Sequence, residues 1–183
     1  MNSNKKEGLT VWLTGLSVSG KSTISMILER ELKLVYEDVF VIDGDVLRKG
    51  LCSNLGFSSE DREENIRRAT EVSKLFMSEG YCVVVAMISP IGCVREEMKL
   101  SIGKDRVIEV FVDTPIDECI KRDVKGLYEK VKNGEIKNFT GIDAPYERPS
   151  HPDLRIETIL ETPEESSEKI FLKVLDRLQE IRV

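Results

Sequence analysis

Thr10-Val-Trp-Leu-Thr14-Gly15-Leu-Ser-Val-Ser-Gly20-Lys21-Ser22-Thr23-Ile24 decides the fold. Thr10–Thr14 is a short apolar, β-branched run and reads as a buried strand. It passes directly into Gly15–Ser22, which fits the pattern G-x-x-x-x-G-K-[ST]. A helix pattern follows from Lys21 to about Leu34, with Ile24, Ile27, Leu28 and Leu32 at helical spacing. A glycine-rich bend between strand and helix turns successive backbone N–H groups toward a phosphate, and the helix start adds positive potential. In that geometry Lys21 reaches the β- and γ-phosphates and the Ser22 hydroxyl ligates Mg²⁺. Gly15, Leu16, Ser17, Val18, Ser19, Gly20, Lys21, Ser22 and Thr23 are therefore the expected ATP-binding set.

The same rhythm continues downstream. Val39–Ile42 is a second strand, ending in Asp43-Gly44-Asp45. Ser58, with Asp61 three residues on, resembles a capping box that opens a long helix. Ile66, Ala69, Val72 and Phe76 form its inward stripe, and Gly80 stops it. Cys82–Ile88 is apolar on nearly every residue, as in a central parallel strand covered on both faces. Val107–Val112 is a fourth strand, followed by Thr114-Pro115 and a helix through Cys119. Leu154–Ile159 is a weaker fifth strand, and Glu164–Ile181 closes the chain as an amphipathic helix with Ile170, Val174, Leu178 and Ile181 on one face. Alternating strands and helices predict an α/β fold: a P-loop NTPase-type three-layer sandwich, with a parallel sheet of about five strands and helices on both faces. The rhythm breaks over residues 125–152, a stretch too long and too charged for an ordinary connection, and the expectation there is a mobile lid.

Composition sets the limits. The 183 residues suit a single domain, and 40% apolar with 33% charged residues gives a core with a charged surface. A net charge of −6 argues against nucleic acid or an anionic membrane as partner, while leaving room for a local cationic cleft. One histidine, His151, excludes a multi-histidine metal centre. The four cysteines, Cys52, Cys82, Cys93 and Cys119, form no C-x-x-C pair, which fits a reducing compartment. The longest apolar stretch, Tyr81–Ile88, is far short of a membrane span, and no signal-peptide pattern opens the chain. The expected location is the cytoplasm.

Asp43 and Asp45 stand where parallel sheets place ligands, at the carboxyl end of a strand. Two carboxylates beside a phosphate loop can divide the work. One accepts the proton of an attacking hydroxyl and the other holds Mg²⁺ through water. An ordinary Asp-Gly turn is the plain alternative.

Several longer strings go beyond the phosphate loop. They are Asp43-Gly-Asp-Val-Leu-Arg48, Leu55-Gly-Phe57-Ser-Ser-Glu-Asp-Arg62-Glu-Glu-Asn65-Ile-Arg-Arg68, Ile88-Ser89-Pro90, Phe111-Val-Asp-Thr-Pro115, Arg122-Asp-Val-Lys125-Gly-Leu127-Tyr128 and Asn138-Phe139-Thr-Gly-Ile142-Asp-Ala-Pro-Tyr-Glu147. Over residues 8–162 the chain resembles the adenylyl-sulfate kinase family. The resemblance implies transfer of the ATP γ-phosphate to the ribose 3′-hydroxyl of adenosine 5′-phosphosulfate. It implies Asp43 as catalytic base, with Lys21 and Ser89 in the catalytic set and Mg²⁺ held by Ser22 and Asp45. It implies a substrate set of Asp45, Arg48, Phe57, Arg62, Asn65, Ile88, Ser89, Lys125, Leu127, Phe139 and Ile142. Phe57 and Phe139 would sandwich the adenine, and Lys125, Leu127 and Ile142 would belong to the lid. Arg122 either stacks on the ATP adenine or is a surface cation. Arg68 reads as a solvated helix residue, and His151 as a surface one. Ser89 matches a position discussed as a phosphoserine, but direct in-line transfer makes it a substrate contact. The resemblance also implies a homodimer. The chain has no room for a sulfate-adenylylating domain, so a separate sulfate adenylyltransferase is expected to supply the substrate.

Two departures stand out. The family loop usually carries Gly and a small residue where this chain has Val18-Ser19. If position 18 needs a positive φ, a β-branched residue there is strained. Ile91-Gly92 also replaces an aromatic or cationic residue after Ser89-Pro90, with Arg95 placed to compensate. Another P-loop small-molecule kinase, such as a nucleoside monophosphate kinase, is the nearest alternative, and a nucleotide-binding regulatory protein without catalysis is the other.

Overall fold

The computed structural model describes residues 8–124 and 126–181. The sequence-predicted Lys125 lies outside the described residues. Five strands, β1 (Leu9–Thr14), β2 (Val39–Asp43), β3 (Cys82–Ala86), β4 (Val107–Asp113) and β5 (Leu154–Glu157), form one sheet in the order β2-β3-β1-β4-β5. Every neighbouring pair is parallel. β1, β3 and β4 are buried along their full length, as their uninterrupted apolar runs require.

Side-chain alternation divides those strands between two cores. Leu9, Val11 and Leu13 of β1 point to one face with Val84, Ile108, Val110 and Val112. That face is covered by α1 (Lys21–Leu32) through Ile24, Leu28 and Leu32, and by α7 (Pro163–Ile181) through Ile170 and Val174. Trp12, Val83 and Val85 point the other way. They meet α3 (Ser59–Ser78) at Ile66 and Ala69, and α4 (Gly92–Ile102) at Val94 and Met98. The Ser58 hydroxyl caps α3 by accepting from the Asp61 N–H at 3.1 Å. The α7 stripe is as expected, with Leu178 and Ile181 packed at its margin.

Three α-helices were not legible in the sequence. α2 (Gly44–Leu47) turns the Asp-Gly-Asp string into one helical turn capped by Asp43. α4 was missed because its inward face carries Arg95 among Val94 and Met98, which breaks the apolar stripe. α6 (Leu127–Lys132) follows α5 (Ile116–Lys121) and is too short for periodicity to register.

The chain leaves β1 into α1 on one face of the sheet and leaves β3 into α4 on the other. Adjacent strands with oppositely directed connections open a crevice at their carboxyl ends, the ordinary ligand position of such sheets. The phosphate loop and the Ser89 turn lie there. The Gly15 N–H and the Thr14 hydroxyl both donate to the Ile88 carbonyl, at 3.3 and 2.7 Å.

Candidate active site

The phosphate loop is held from several sides. Gly15 packs so closely on β4 that a Cβ there would sit 2.5 Å from the Val112 carbonyl oxygen. Lys21 is buried, and its ammonium donates to the carbonyls of Gly15 and Leu16 at 3.0 and 2.6 Å and to Ser19 Oγ at 3.3 Å. The Thr114 hydroxyl donates to the Ser19 carbonyl at 2.9 Å. The Tyr128 hydroxyl of α6 donates to the Ser17 carbonyl at 3.0 Å. Ser22 and Thr23 remain exposed on the first turn of α1. Ser19 N–H closes a tight turn onto the Leu16 carbonyl at 3.2 Å, and Val18 inside that turn has φ 62°. Position 18 does take a positive φ, so of the two outcomes open in the sequence, a strained loop or a reshaped one, the structure shows the strained one.

Asp43 joins this loop from β2. Its Oδ2 accepts from the Ser22 hydroxyl at 2.8 Å, and its Oδ1 accepts from the backbone N–H groups of Asp45 and Val46 at 2.8 and 3.3 Å. One carboxylate oxygen is thus fixed by backbone and the other faces the phosphate loop. Asp45 is exposed in the first turn of α2. A hydroxyl beside a carboxylate is a hard-oxygen donor set of the kind Mg²⁺ takes together with phosphate oxygens. Among the described residues no group of three metal-ligating side chains competes with it.

A cationic, aromatic pocket adjoins these groups. Arg48 lies 4.4 Å and Arg62 5.7 Å from the centroid of the Phe57 ring, which is half exposed. Arg48 donates to the carbonyls of Leu55 and Gly56 at 3.1 and 2.9 Å. Arg62, buried on α3, donates to the Phe57 carbonyl at 3.1 Å and to the Asn138 carbonyl at 2.5 Å. Burial lowers the pKa of both guanidinium groups, and for Arg62 the positive charge of Arg48 adds to that effect. One turn on, Asn65 is buried with its Oδ1 unpartnered. A buried acceptor without a donor is costly, and a ligand's N–H or O–H would relieve it.

The flap runs over this pocket from α6. Phe139 packs edge-on against Tyr128 with centroids 4.9 Å apart. Asp143 knots the segment by accepting from the Asn138 N–H at 2.7 Å and from the Phe139 N–H. Gly141 has φ 92°, and a Cβ there would lie 2.8 Å from Leu16 Cδ2, so the flap rests on the phosphate loop. Leu127 starts α6 and is half-buried, while Ile142 is half exposed. A cleft of about 550 Å³ lies between Leu16, Phe111, Ile142 and Tyr146. A second hollow of about 400 Å³, between α3 and α4, contains none of the candidate site residues named from sequence.

Ser89 is buried with φ 46°, an unfavourable backbone for a residue before proline. Its Oγ accepts from the Trp12 indole N–H at 2.9 Å. Ile88 beside it is half-buried. Arg122 is less solvated than a surface cation: it donates to Glu118 at 2.9 Å and twice to Thr158 at 3.0 Å, which fixes its guanidinium plane. Arg68 departs from the expected solvated residue. It donates to the Leu51 carbonyl at 2.6 Å and to Asn54 Oδ1 at 2.7 Å, bracing the loop that leads to Phe57. His151 is exposed, as expected. Tyr128 and Trp12 were not singled out from sequence. The available signal was chemical: a buried phenol or indole needs a partner for its polar hydrogen.

Comparison with known proteins agrees with this arrangement. The family model for adenylylsulphate kinase matches residues 7–157. The chain is 51% identical over 174 residues to an adenylyl-sulfate kinase of Bacteroides fragilis, covering 95% of this chain and 86% of that one. It is 51% identical over 161 residues to the adenylyl-sulfate kinase of Pseudomonas aeruginosa, covering 88% and 82%. Its fold superposes with a TM-score of 0.85 on the Mycobacterium tuberculosis APS kinase CysC in complex with AMPPNP and APS, at 44% identity over 95% of this chain and 99% of that one. A strand-to-helix phosphate loop, a carboxylate against its serine and a matching sequence along most of the chain have one common reading: the protein belongs to the adenylylsulphate kinase family.

Proposed function

We propose that the protein is an adenylyl-sulfate kinase that transfers the γ-phosphate of ATP to the 3′-hydroxyl of adenosine 5′-phosphosulfate, giving 3′-phosphoadenosine 5′-phosphosulfate and ADP. The observation that carries the reading is the pair Arg48 and Arg62 converging on Phe57 beside the phosphate loop. Two partly desolvated guanidinium groups favour a doubly anionic group, and the half-exposed Phe57 ring offers flat apolar area to a base. Asn65 Oδ1 supplies an acceptor for the same ligand. Phe139 would close on the adenine from the flap, with Leu127, Lys125 and Ile142 completing the cover. Arg122, whose guanidinium is held by Thr158, would offer a stacking surface to the ATP adenine.

In the transfer, the substrate 3′-oxygen forms a bond to the γ-phosphorus as the bond from that phosphorus to the β,γ-bridging oxygen breaks. Asp43 Oδ2 takes the hydroxyl proton, and ADP carries away the bridging oxygen. Asp43 is suited to this because backbone amides hold its other oxygen in place. Lys21 would swing from the loop carbonyls to the phosphates, and Ser89 would touch the substrate from the β3 end. Ser22 and Asp45 would hold Mg²⁺, which would offset phosphate charge. Positioning and charge stabilisation account for most of such catalysis. The flap excludes water from the γ-phosphate, which otherwise competes with the acceptor.

The same reading takes residues 1–183 as one P-loop kinase domain with a mobile lid at about 125–152. It takes the protein as a cytoplasmic homodimer fed by a separate sulfate adenylyltransferase. No helix among the described residues is long and apolar enough to cross a membrane, and the described cysteines are free thiols. The test is direct: incubate protein, MgATP and adenosine 5′-phosphosulfate, and identify the product by mass spectrometry. A 3′-phosphorylated product is expected. No phosphorylated product, or a phosphate on any other atom, would overturn the assignment.

A further inference from the structure

Arg95 is 3% exposed and uses three sides of its guanidinium. Its Nε lies 3.0 Å from Glu109 Oε1, a carboxylate buried in the middle of β4. One terminal nitrogen donates to the Ser89 carbonyl at 2.7 Å, and the other donates to the Glu147 carbonyl at 2.7 Å. Ser89 is the strained residue at the end of β3, and Glu147 is where the flap rejoins the body of the fold. A single buried cation therefore holds both.

The surroundings repeat the connection. Glu147 N–H donates to the Pro90 carbonyl at 2.9 Å, and the Glu147 carboxylate accepts from the Gly92 N–H at 2.7 Å at the start of α4. The Tyr146 ring lies 6.0 Å from the Arg95 guanidinium, and its hydroxyl shares a 2.9 Å hydrogen bond with Thr14. Lys99 pairs with the other oxygen of Glu109. The charge of Glu109 is thus balanced twice, and Arg95 keeps its two terminal nitrogens for backbone carbonyls. A lysine can balance Glu109 but cannot fork to two carbonyls.

We propose that Arg95 and Glu147 are positioning residues, forming a clasp that fixes the C-terminal root of the flap to the turn presenting Ser89. The clasp acts at a distance on Phe139 and Ile142, since a flap whose root is free no longer arrives over the acceptor in one place. It rests on the kinase reading for its kinetic consequence but not for its mechanical one.

The test uses Arg95→Lys and Glu147→Ala in the full chain. Glu147 is exposed, so its variant keeps the proposal decidable if Arg95→Lys fails to fold. Amide hydrogen exchange over residues 138–147, without nucleotide, is expected to speed up at least fivefold in each folded variant. In steady-state assays the KM for adenosine 5′-phosphosulfate is expected to rise about tenfold for Arg95→Lys and about threefold for Glu147→Ala, with the KM for ATP within twofold of wild type. A purely structural role would lower the melting temperature and the active fraction while leaving the KM unchanged. Folded variants with wild-type exchange in the flap overturn the clasp. If wild-type protein lacks the kinase activity, the functional reading fails, and the exchange result alone still decides the clasp.

Discussion

Val18 offers the sharpest measurement. It is β-branched, half-buried and held at φ 62° inside the phosphate loop. A non-glycine residue in this region costs about 1–3 kcal/mol, and Val is among the worst placed because both branches crowd the backbone. Val18→Gly relieves that cost. Glycine gives back roughly 0.5–1 kcal/mol through the greater freedom of the unfolded chain. Little packing is lost at a half-buried loop position. The net expectation is a gain of about 1 kcal/mol, which in a chain of this size raises the melting temperature by about 2–4 °C. Differential scanning calorimetry reads this directly. Titration calorimetry with a non-hydrolysable ATP analogue should show affinity equal to or tighter than wild type. Val18→Ala is the control, since alanine keeps the positive φ without the branch and regains only part of the stability. A glycine variant that melts below wild type, or binds nucleotide tenfold more weakly, would show that Val18 makes a needed contact and that the strain argument is wrong.

Other outcomes follow from the same geometry. Asp43→Asn keeps a side chain that caps α2 as well as Asp does, so the fold and ATP affinity should hold while kcat falls by about 10²–10⁴, the usual contribution of a general base. Near-normal turnover removes Asp43 from that role. Of the four cysteines, only Cys93 is exposed, and burial pushes the Cys82 thiol up to about 12. A raised pKa leaves almost no thiolate at pH 8, so Ellman's reagent should label one thiol quickly in the native protein and the rest on denaturation. Two fast equivalents would contradict the burial of Cys52, Cys82 and Cys119.

Much of this was legible in sequence because the parallel strands are apolar without interruption and the phosphate loop has few alternative geometries. Val18 stood out in the loop pattern as a strained residue should its φ be positive, and the structure supplied that φ. Part of what escaped has charge placed inside as its cause. Glu109 lies in a fully buried strand and Arg95 on the inward face of a helix, so each weakens the pattern of its own element, and only their spatial pairing explains either. Arg68 was misread for a related reason, since its partners at Leu51 and Asn54 are far away in sequence. The short helix after Asp43 left no sequence signal because one helical turn is too brief to show a period.

The chain's only tryptophan is the one bonded to Ser89. Its indole is sealed from solvent, yet its polar hydrogen ends on a hydroxyl at the mouth of the crevice. An intrinsic fluorophore is thus hydrogen-bonded to the hydroxyl proposed above to touch the substrate. When a ligand recruits that hydroxyl, the emission of a single, fully assigned chromophore reports the event, and stopped-flow traces of ligand arrival and departure need no attached dye.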